Sequence, residues 1–216
     1  MCYVHLSKQE MQSQGRLRSL DEWISLAKQM KDAGTLFLLL TGGEPLLFHQ
    51  FKELYCALKD MGMILTLNTN GTLINEEWAE FFAKNKPRRI NITLYGSKNE
   101  TYENLCHMKD GFDKTIRGIE LLKKYKIDVK INGSLVKKNF HDRMEIIDIG
   151  EKYDIPVRID TYMYPSVRER TTPFNFQERL NPEDAAKARV EILHREMGDE
   201  LFEQYAKQTI YLAEIQ

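Results

Sequence analysis

Apolar residues recur along this chain in two rhythms. Short runs, continuous or alternating with polar residues, fall at 36–40, 63–67, 90–94, 127–136 and 155–160. Between them lie longer stretches in which apolar positions repeat every three or four residues. The first rhythm predicts strands and the second amphipathic helices. Ser19 and Glu22 have capping-box spacing. They open a helix with Trp23, Leu26, Ala27 and Met30 on one face and Gly34 as its stop. A second helix is predicted over 49–61, with Phe51, Leu54, Tyr55 and Leu58 inward and Gly62 at its end. Asn75 caps a third, with Glu76 and Glu77 in the first turn and Trp78, Phe81 and Phe82 on the buried face. A fourth is predicted over 112–125, and a fifth begins near Asp142 with Glu145 in its first turn. Residues through Cys106 and His107 read as a longer loop, and Ser7 to Arg18 as a loop or frayed helix.

Strand and helix thus alternate at roughly thirty residues per unit, which argues for right-handed βα units around a parallel sheet. Five strands are too few for a closed eight-stranded barrel, which takes about 250 residues. The fold class is α/β, either a partial barrel or an open doubly wound sheet. From 166 the character changes: Ser166 to Phe176 is polar, then Asn181-Pro182-Glu183-Asp184 has the form of a helix start. Two helices, about 182–197 and 199–214, close the chain. The expected division is a core over 1–165 and a helical extension over 166–216.

The stretch Leu36-Phe37-Leu38-Leu39-Leu40-Thr41-Gly42-Gly43-Glu44-Pro45 anchors the functional reading. Its apolar run is expected to be a central strand buried on both faces. Gly42 and Gly43 permit positive φ and close approach of another molecule to the backbone. Pro45 stiffens the exit. The C-terminal ends of parallel strands are where such folds bind ligands. The other strands also end in polar residues: Asn68-Thr69-Asn70, Thr93 with Tyr95, Asn132 with Ser134, and Asp160 with Tyr162. Taken singly, each is a turn or a sheet-edge group; together they form one polar rim.

Composition narrows the partners. Over 216 residues the net charge is −1, which gives no reason to expect a nucleic acid. No apolar stretch reaches membrane-spanning length, and the first residues lack the basic head and apolar middle of a signal peptide. A cytoplasmic location without membrane contact is expected. Cys2, Cys56 and Cys106 form no C-x-x-C pair and no disulfide framework. Adjacency of Cys106 and His107 does not set them face to face, and Cys56 lies beside an apolar helix face. Gly-rich phosphate cradles and zinc-type clusters are absent.

Four segments together resemble the core of radical S-adenosylmethionine enzymes: Cys2-Tyr3, Thr41-Gly42-Gly43-Glu44-Pro45-Leu46, Thr69-Asn70-Gly71-Thr72-Leu73-Ile74, and Ile92-Thr93-Leu94-Tyr95-Gly96. Members with a C-terminal extra-cluster (SPASM) domain, such as peptide maturases and anaerobic sulfatase-maturing enzymes, are the nearest in kind. Arg179-Leu180-Asn181-Pro182-Glu183-Asp184 resembles the start of the linker to that domain.

The resemblance implies a partial (β/α)6, TIM-like barrel that here lacks its first strand. It also implies a [4Fe-4S] cluster held by three cysteines in C-x-x-x-C-x-x-C, and S-adenosylmethionine chelated to the fourth iron. One electron would cleave the sulfonium to a 5′-deoxyadenosyl radical that abstracts a substrate hydrogen. Gly42, Gly43 and Glu44, after Thr41, would hold the methionine amino group. Asn70 and Thr93 would lie near the ribose and carboxylate, and the stretch from Asn132 to Val136 would border the adenosine. Cys2 matches the third cluster cysteine, and the first two would precede Met1. The family often carries an arginine after its fourth strand, where this chain offers Lys109. The implied partners are a peptide or protein substrate and a reductant such as flavodoxin or ferredoxin. As written, the chain is expected to be inactive, with an incomplete cluster ligand set. A cluster-less module that binds adenosine or a peptide stands as the alternative. An unrelated barrel lyase or aldolase would call for a rim lysine or metal triad, which the pattern does not supply.

Overall fold

The structure, a computed structural model, describes residues 15–163 and 178–214, with side chains to 209. Cys2, Tyr3 and the polar segment Ser166–Phe176 lie outside the described residues. The elements run in the order α1 (Leu20–Asp32), β1 (Phe37–Leu40), α2 (Phe51–Asp60), β2 (Ile64–Thr69), α3 (Glu76–Lys84), β3 (Arg89–Thr93), α4 (Asn99–Cys106), α5 (Gly111–Lys124), β4 (Val129–Ser134), α6 (Arg143–Tyr153), β5 (Val157–Asp160) and α7 (Pro182–Glu214). Short 3₁₀ turns sit at Pro45–Leu47 and Phe140–Asp142.

The five strands form one parallel sheet in the order β1-β2-β3-β4-β5. Spatial order equals chain order, so each crossover steps in the same direction. Right-handed crossovers then place every helix on one face. That resolves the architecture toward a partial barrel, because a doubly wound sheet needs a reversal in strand order. Burial follows suit. Leu65, Leu67, Ile90, Ile92, Val129, Ile131 and Ile159 are buried toward the helices, where they meet Tyr55, Phe82, Ile119, Leu122 and Ile146. Thr66, Asn68, Asn91, Thr93, Lys130, Asn132 and Ser134 alternate with them and are only partly covered. Among the described residues the sheet therefore has one apolar, helix-covered face and one partly covered face that is mostly polar from β2 to β4.

β1 departs from expectation. It is an edge strand, and Phe37 and Leu39 are 68% and 48% exposed. A continuous apolar run reads as a doubly buried strand only where both faces are covered. Among the described residues, helices cover one face of β1 and β2 pairs with one of its edges. α4 is the second departure, since the loop expected through Cys106 is helical from Asn99. Thr101, Tyr102 and Leu105 are buried on its inner side, and His107 ends it in the left-handed region at φ 57°. Lys98 precedes it without a side-chain cap, so a short polar helix of this kind leaves little periodic signal.

The expected caps are present. Ser19 and Glu22 form the reciprocal capping box, Asn75 accepts from Trp78 N, and Asn181 Oδ1 accepts from Asp184 N at 2.7 Å. α7 comprises two helical segments that meet at Gly198 (φ 74°, ψ 169°), as the sequence break predicts. Its first segment packs on the sheet body: Ala185, Ala188 and Ile192 join the main apolar cluster. Arg143 pairs with Glu191 at 2.6 Å, and Arg195 reaches Asp148 and Glu151 at 3.0 and 2.7 Å.

Candidate functional site

The rim predicted at the C-terminal strand ends is one continuous edge. Thr93 of β3 stands opposite Asn132 of β4 in the ladder, and Ser134 stands opposite Asp160 of β5. Thr69 pairs with Ile92, so Asn70 and Thr93, the next residues along, are neighbours on adjacent strands. One step deeper on the open face, Asn91 Nδ2 donates to Asn68 Oδ1 at 2.7 Å, and Lys130 follows in register. Arg158 and Asp160 pair with each other at 3.2 Å.

Glu44 stands at the start of the edge, and its carboxylate is directed back to β2. Oε1 accepts from Leu46 N at 3.1 Å and from Thr69 Oγ1 at 2.8 Å; Oε2 accepts from Asn70 N at 2.9 Å. A carboxylate has about four acceptor positions. Three are filled from within, so the acid is a strut between two loops as well as a charge. Thr41, Gly42 and Gly43 are exposed. Gly42 has φ 158°, near extended backbone, and a Cβ built on Gly43 would meet nothing within 4 Å. At Gly43 neither packing nor a left-handed turn calls for glycine; the backbone simply faces open space.

The Asn70–Gly71–Thr72 loop is held with equal care. Asn70 Oδ1 accepts from Thr72 N and Thr72 Oγ1 at 2.9 and 2.7 Å, so what Asn70 has to offer a ligand is its Nδ2 group. Gly71 is left-handed at φ 77°. Thr115 of α5 donates to Gly111 O at 2.8 Å and lies 3.2 Å from Asn70 O. A Cβ at Gly118 of the same helix would stand 2.5 Å from Gly71 O, so glycine there lets α5 come up against the loop.

Two residues that the sequence reading did not place at the rim organise the rest of it. Asn139 is fully buried. Its Oδ1 accepts from Val136 N at 2.7 Å, and its Nδ2 donates to Tyr95 O and Ser134 O at 2.8 and 3.1 Å. Asp142, predicted as a helix start, does not cap α6 with its side chain. Its buried carboxylate instead accepts from Ser97 N at 3.0 Å and Thr101 Oγ1 at 2.5 Å, with His141 Nε2 at 3.2 Å. The turn after β4 thus clasps the loop after β3. Gly96 is needed under the clasp, because a Cβ there would lie 2.4 Å from Thr101 Cγ2. Val136 itself is fully buried, and both its backbone polar groups are engaged by Asn139.

Other expected chemistry falls away from the rim. Burial pushes the Cys106 thiol up to about 11 and also raises that of Cys56, so neither is a ready thiolate. Lys109 is largely exposed and pairs with Glu103 at 3.8 Å. Among the described residues no three His, Cys, Asp or Glu side chains are placed to hold a metal ion. An iron–sulfur cluster therefore finds no ligand set in the described part of the chain. The polar groups that this edge does bring together are those of the Gly42–Glu44 turn and of Asn70, Thr93 and Asn132.

Comparison with known proteins shows the family and the fold. The family model described as the radical SAM superfamily matches residues 1–150. An AdoMet-dependent heme synthase of Methanosarcina barkeri is 29% identical over 165 residues, covering 74% of this chain and 47% of the relative. A cysteine-type anaerobic sulfatase-maturating enzyme of Clostridium perfringens is 37% identical over 100 residues, covering 42% of this chain and 26% of the relative. The crystal structure of Streptococcus suis SuiB bound to S-adenosylmethionine superposes with a TM-score of 0.69 at 19% identity, covering 84% of this chain and 41% of that one. The structure of native anSMEcpe with bound AdoMet and Cp18Cys peptide gives 0.67 at 23% identity, covering 83% of this chain and 52% of that one. The chain spans about half or less of the length of these relatives.

Proposed function

Because this chain belongs to the radical SAM superfamily, we propose that its rim is an S-adenosylmethionine site and that residues 1–165 are the barrel core of a radical enzyme. Residues 166–216 act as a helical linker and extension. The observation that carries the reading is the exposed Thr41–Gly43 turn beside a carboxylate already oriented by three donors. Gly42 and Gly43 offer backbone carbonyls and Glu44 its charge to the methionine ammonium, a charge-assisted contact stronger than a neutral one. Asn70 and Thr93 face the ribose and carboxylate, and the strand end from Asn132 to Val136 borders the adenosine. The nucleoside hydroxyls meet amide and hydroxyl groups on a partly covered face, where hydrogen bonds replace water without burying an unpaired group.

Bound to a [4Fe-4S] cluster, S-adenosylmethionine supplies one-electron chemistry that removes a hydrogen atom from a substrate, here a peptide or protein segment. The reading takes a flavodoxin or ferredoxin as electron donor and a cytoplasmic setting; among the described residues no helix is long and apolar enough to cross a membrane. Cys2 is the family's third cluster position in this chain. One thiolate does not hold a four-iron cluster. Anaerobic reconstitution of the 216-residue chain is therefore expected to leave it far short of about four irons per molecule. Iron analysis with an absorption spectrum checks this, and a full complement with cluster absorption would overturn it.

The ligand site is tested by titration calorimetry of the same chain with S-adenosylmethionine and with 5′-methylthioadenosine, which lacks the amino acid portion. The first is expected to bind about tenfold or more tightly, the range of a hydrogen bond to a charged group. Equal affinities would remove the ammonium role of the turn. Gly43→Ala is expected to leave folding stability within about 0.5 kcal/mol, as for a substitution in open space. It should nevertheless weaken S-adenosylmethionine, because the added methyl stands where the ligand approaches. Unchanged affinity would place the ligand elsewhere.

A further inference from the structure

Thr69 was read from the sequence as one more polar group on the rim. The structure puts it on the other side. β2 alternates, so Asn68 faces the open side while Thr69 is 3% exposed, among the apolar side chains toward the helices. A buried hydroxyl must find partners. Thr69 finds two: Oγ1 donates to Glu44 Oε1 at 2.8 Å and accepts from Gly71 N at 3.2 Å. The first bond reaches 25 residues back to the turn after β1, and the second holds the turn after β2. One hydroxyl thereby joins the two loops that carry Gly42–Glu44 and Asn70.

We propose that Thr69 is a positioning residue that fixes the Glu44 carboxylate so that its remaining acceptor position on Oε2 is presented to a ligand ammonium. The inference rests on the ligand reading above. Leu46 N and Thr69 Oγ1 together saturate Oε1, and Asn70 N takes one position on Oε2. Three donors from two loops leave the carboxylate plane no freedom to turn. With the hydroxyl removed, only Leu46 N on Oε1 and Asn70 N on Oε2 remain, and the carboxylate is held less tightly about its terminal torsion, which is intrinsically broad. A charge that must be ordered on binding gives less affinity than one already in place. Thr69 touches no ligand in this scheme; it acts through Glu44.

The test uses Thr69→Val, which keeps shape and burial and removes only the hydroxyl, and Thr69→Ser, which keeps it. In the 216-residue chain, Thr69→Val is expected to weaken S-adenosylmethionine about tenfold, the cost of one lost hydrogen bond to a charged group. Binding of 5′-methylthioadenosine should not change, and Thr69→Ser should restore the loss. A merely structural role would weaken both ligands alike. In the ligand-free chain, amide hydrogen exchange at Asn70 and Gly71 should speed up in Thr69→Val and stay slow in Thr69→Ser. The inference is overturned if Thr69→Val discriminates between the two ligands as the unsubstituted chain does, or loses both equally. Failure of the ligand reading looks different: the unsubstituted chain itself then treats the two ligands alike, and the inference goes with it.

Discussion

Asn139→Ala is expected to lower folding stability by about 3–5 kcal/mol. The side chain is fully buried and serves three backbone groups at once: Val136 N, Tyr95 O and Ser134 O. Alanine cannot replace any of these bonds, and the vacated space lies inside the clasp between the β3 and β4 loops. Leaving a buried donor or acceptor unpaired costs about 1–3 kcal/mol each. Some of that is recovered if water enters, which sets the range. Asn181→Ala is a useful contrast: its cap bond to Asp184 N is on the surface, and a loss of about 1 kcal/mol is expected. Urea unfolding of both variants measures the difference. A loss below about 1 kcal/mol for Asn139→Ala would mean that the clasp does not hold the rim.

Gly118→Ala carries the second large effect, and its sign decides between two arguments. In a helix interior, alanine is favoured over glycine by about 1 kcal/mol, so local propensity alone predicts a more stable protein. Packing predicts the reverse. The new Cβ would stand 2.5 Å from Gly71 O and 3.2 Å from Ile74 Cβ, and the first of these is backbone, which yields only by moving the loop. Overpacking of this kind costs about 1–3 kcal/mol and sometimes more. Because Gly71 is itself left-handed and its N–H is held by Thr69, the loop has little room to give. A net loss of about 2 kcal/mol is expected, read as a lower thermal midpoint. S-adenosylmethionine binding should weaken as well, since displacing Gly71 displaces Asn70 and the Glu44 bond. A raised midpoint would show that α5 and the loop are not in tight contact.

These two sites divide what could be read from the chain and what could not. Helices with periodic faces and local caps were legible. Ser19 with Glu22, Asn75 and Asn181 each bond within three residues of themselves, so the information is contained in a short window. The strands were legible from apolar runs, and the rim from polar residues at their ends. α4 was not, because eight residues with an uncapped start carry too little periodicity to stand out from a loop. β1 was placed in the sheet correctly but in the wrong position within it. An apolar run reports how hydrophobic a strand is, whereas its neighbours decide whether both faces are covered.

The sequence by itself determined the alternation of strand and helix, the parallel sheet, the location of the polar groups at strand ends and the family whose motifs they carry. These follow from periodicity and from short motifs, which are local properties of a chain. Tertiary structure alone decided that chain order equals strand order, so that among the described residues the helices share one face and the polar residues of β2 to β4 line the other. It also decided the targets of three side chains. Glu44 reaches Asn70 across 26 residues, Asp142 turns from its own helix to Ser97 across 45, and Asn139 reaches Tyr95 across 44. A carboxylate or amide bonds whichever buried donor or acceptor the fold brings near, and that neighbour is set by how the sheet assembles rather than by the residues on either side of it.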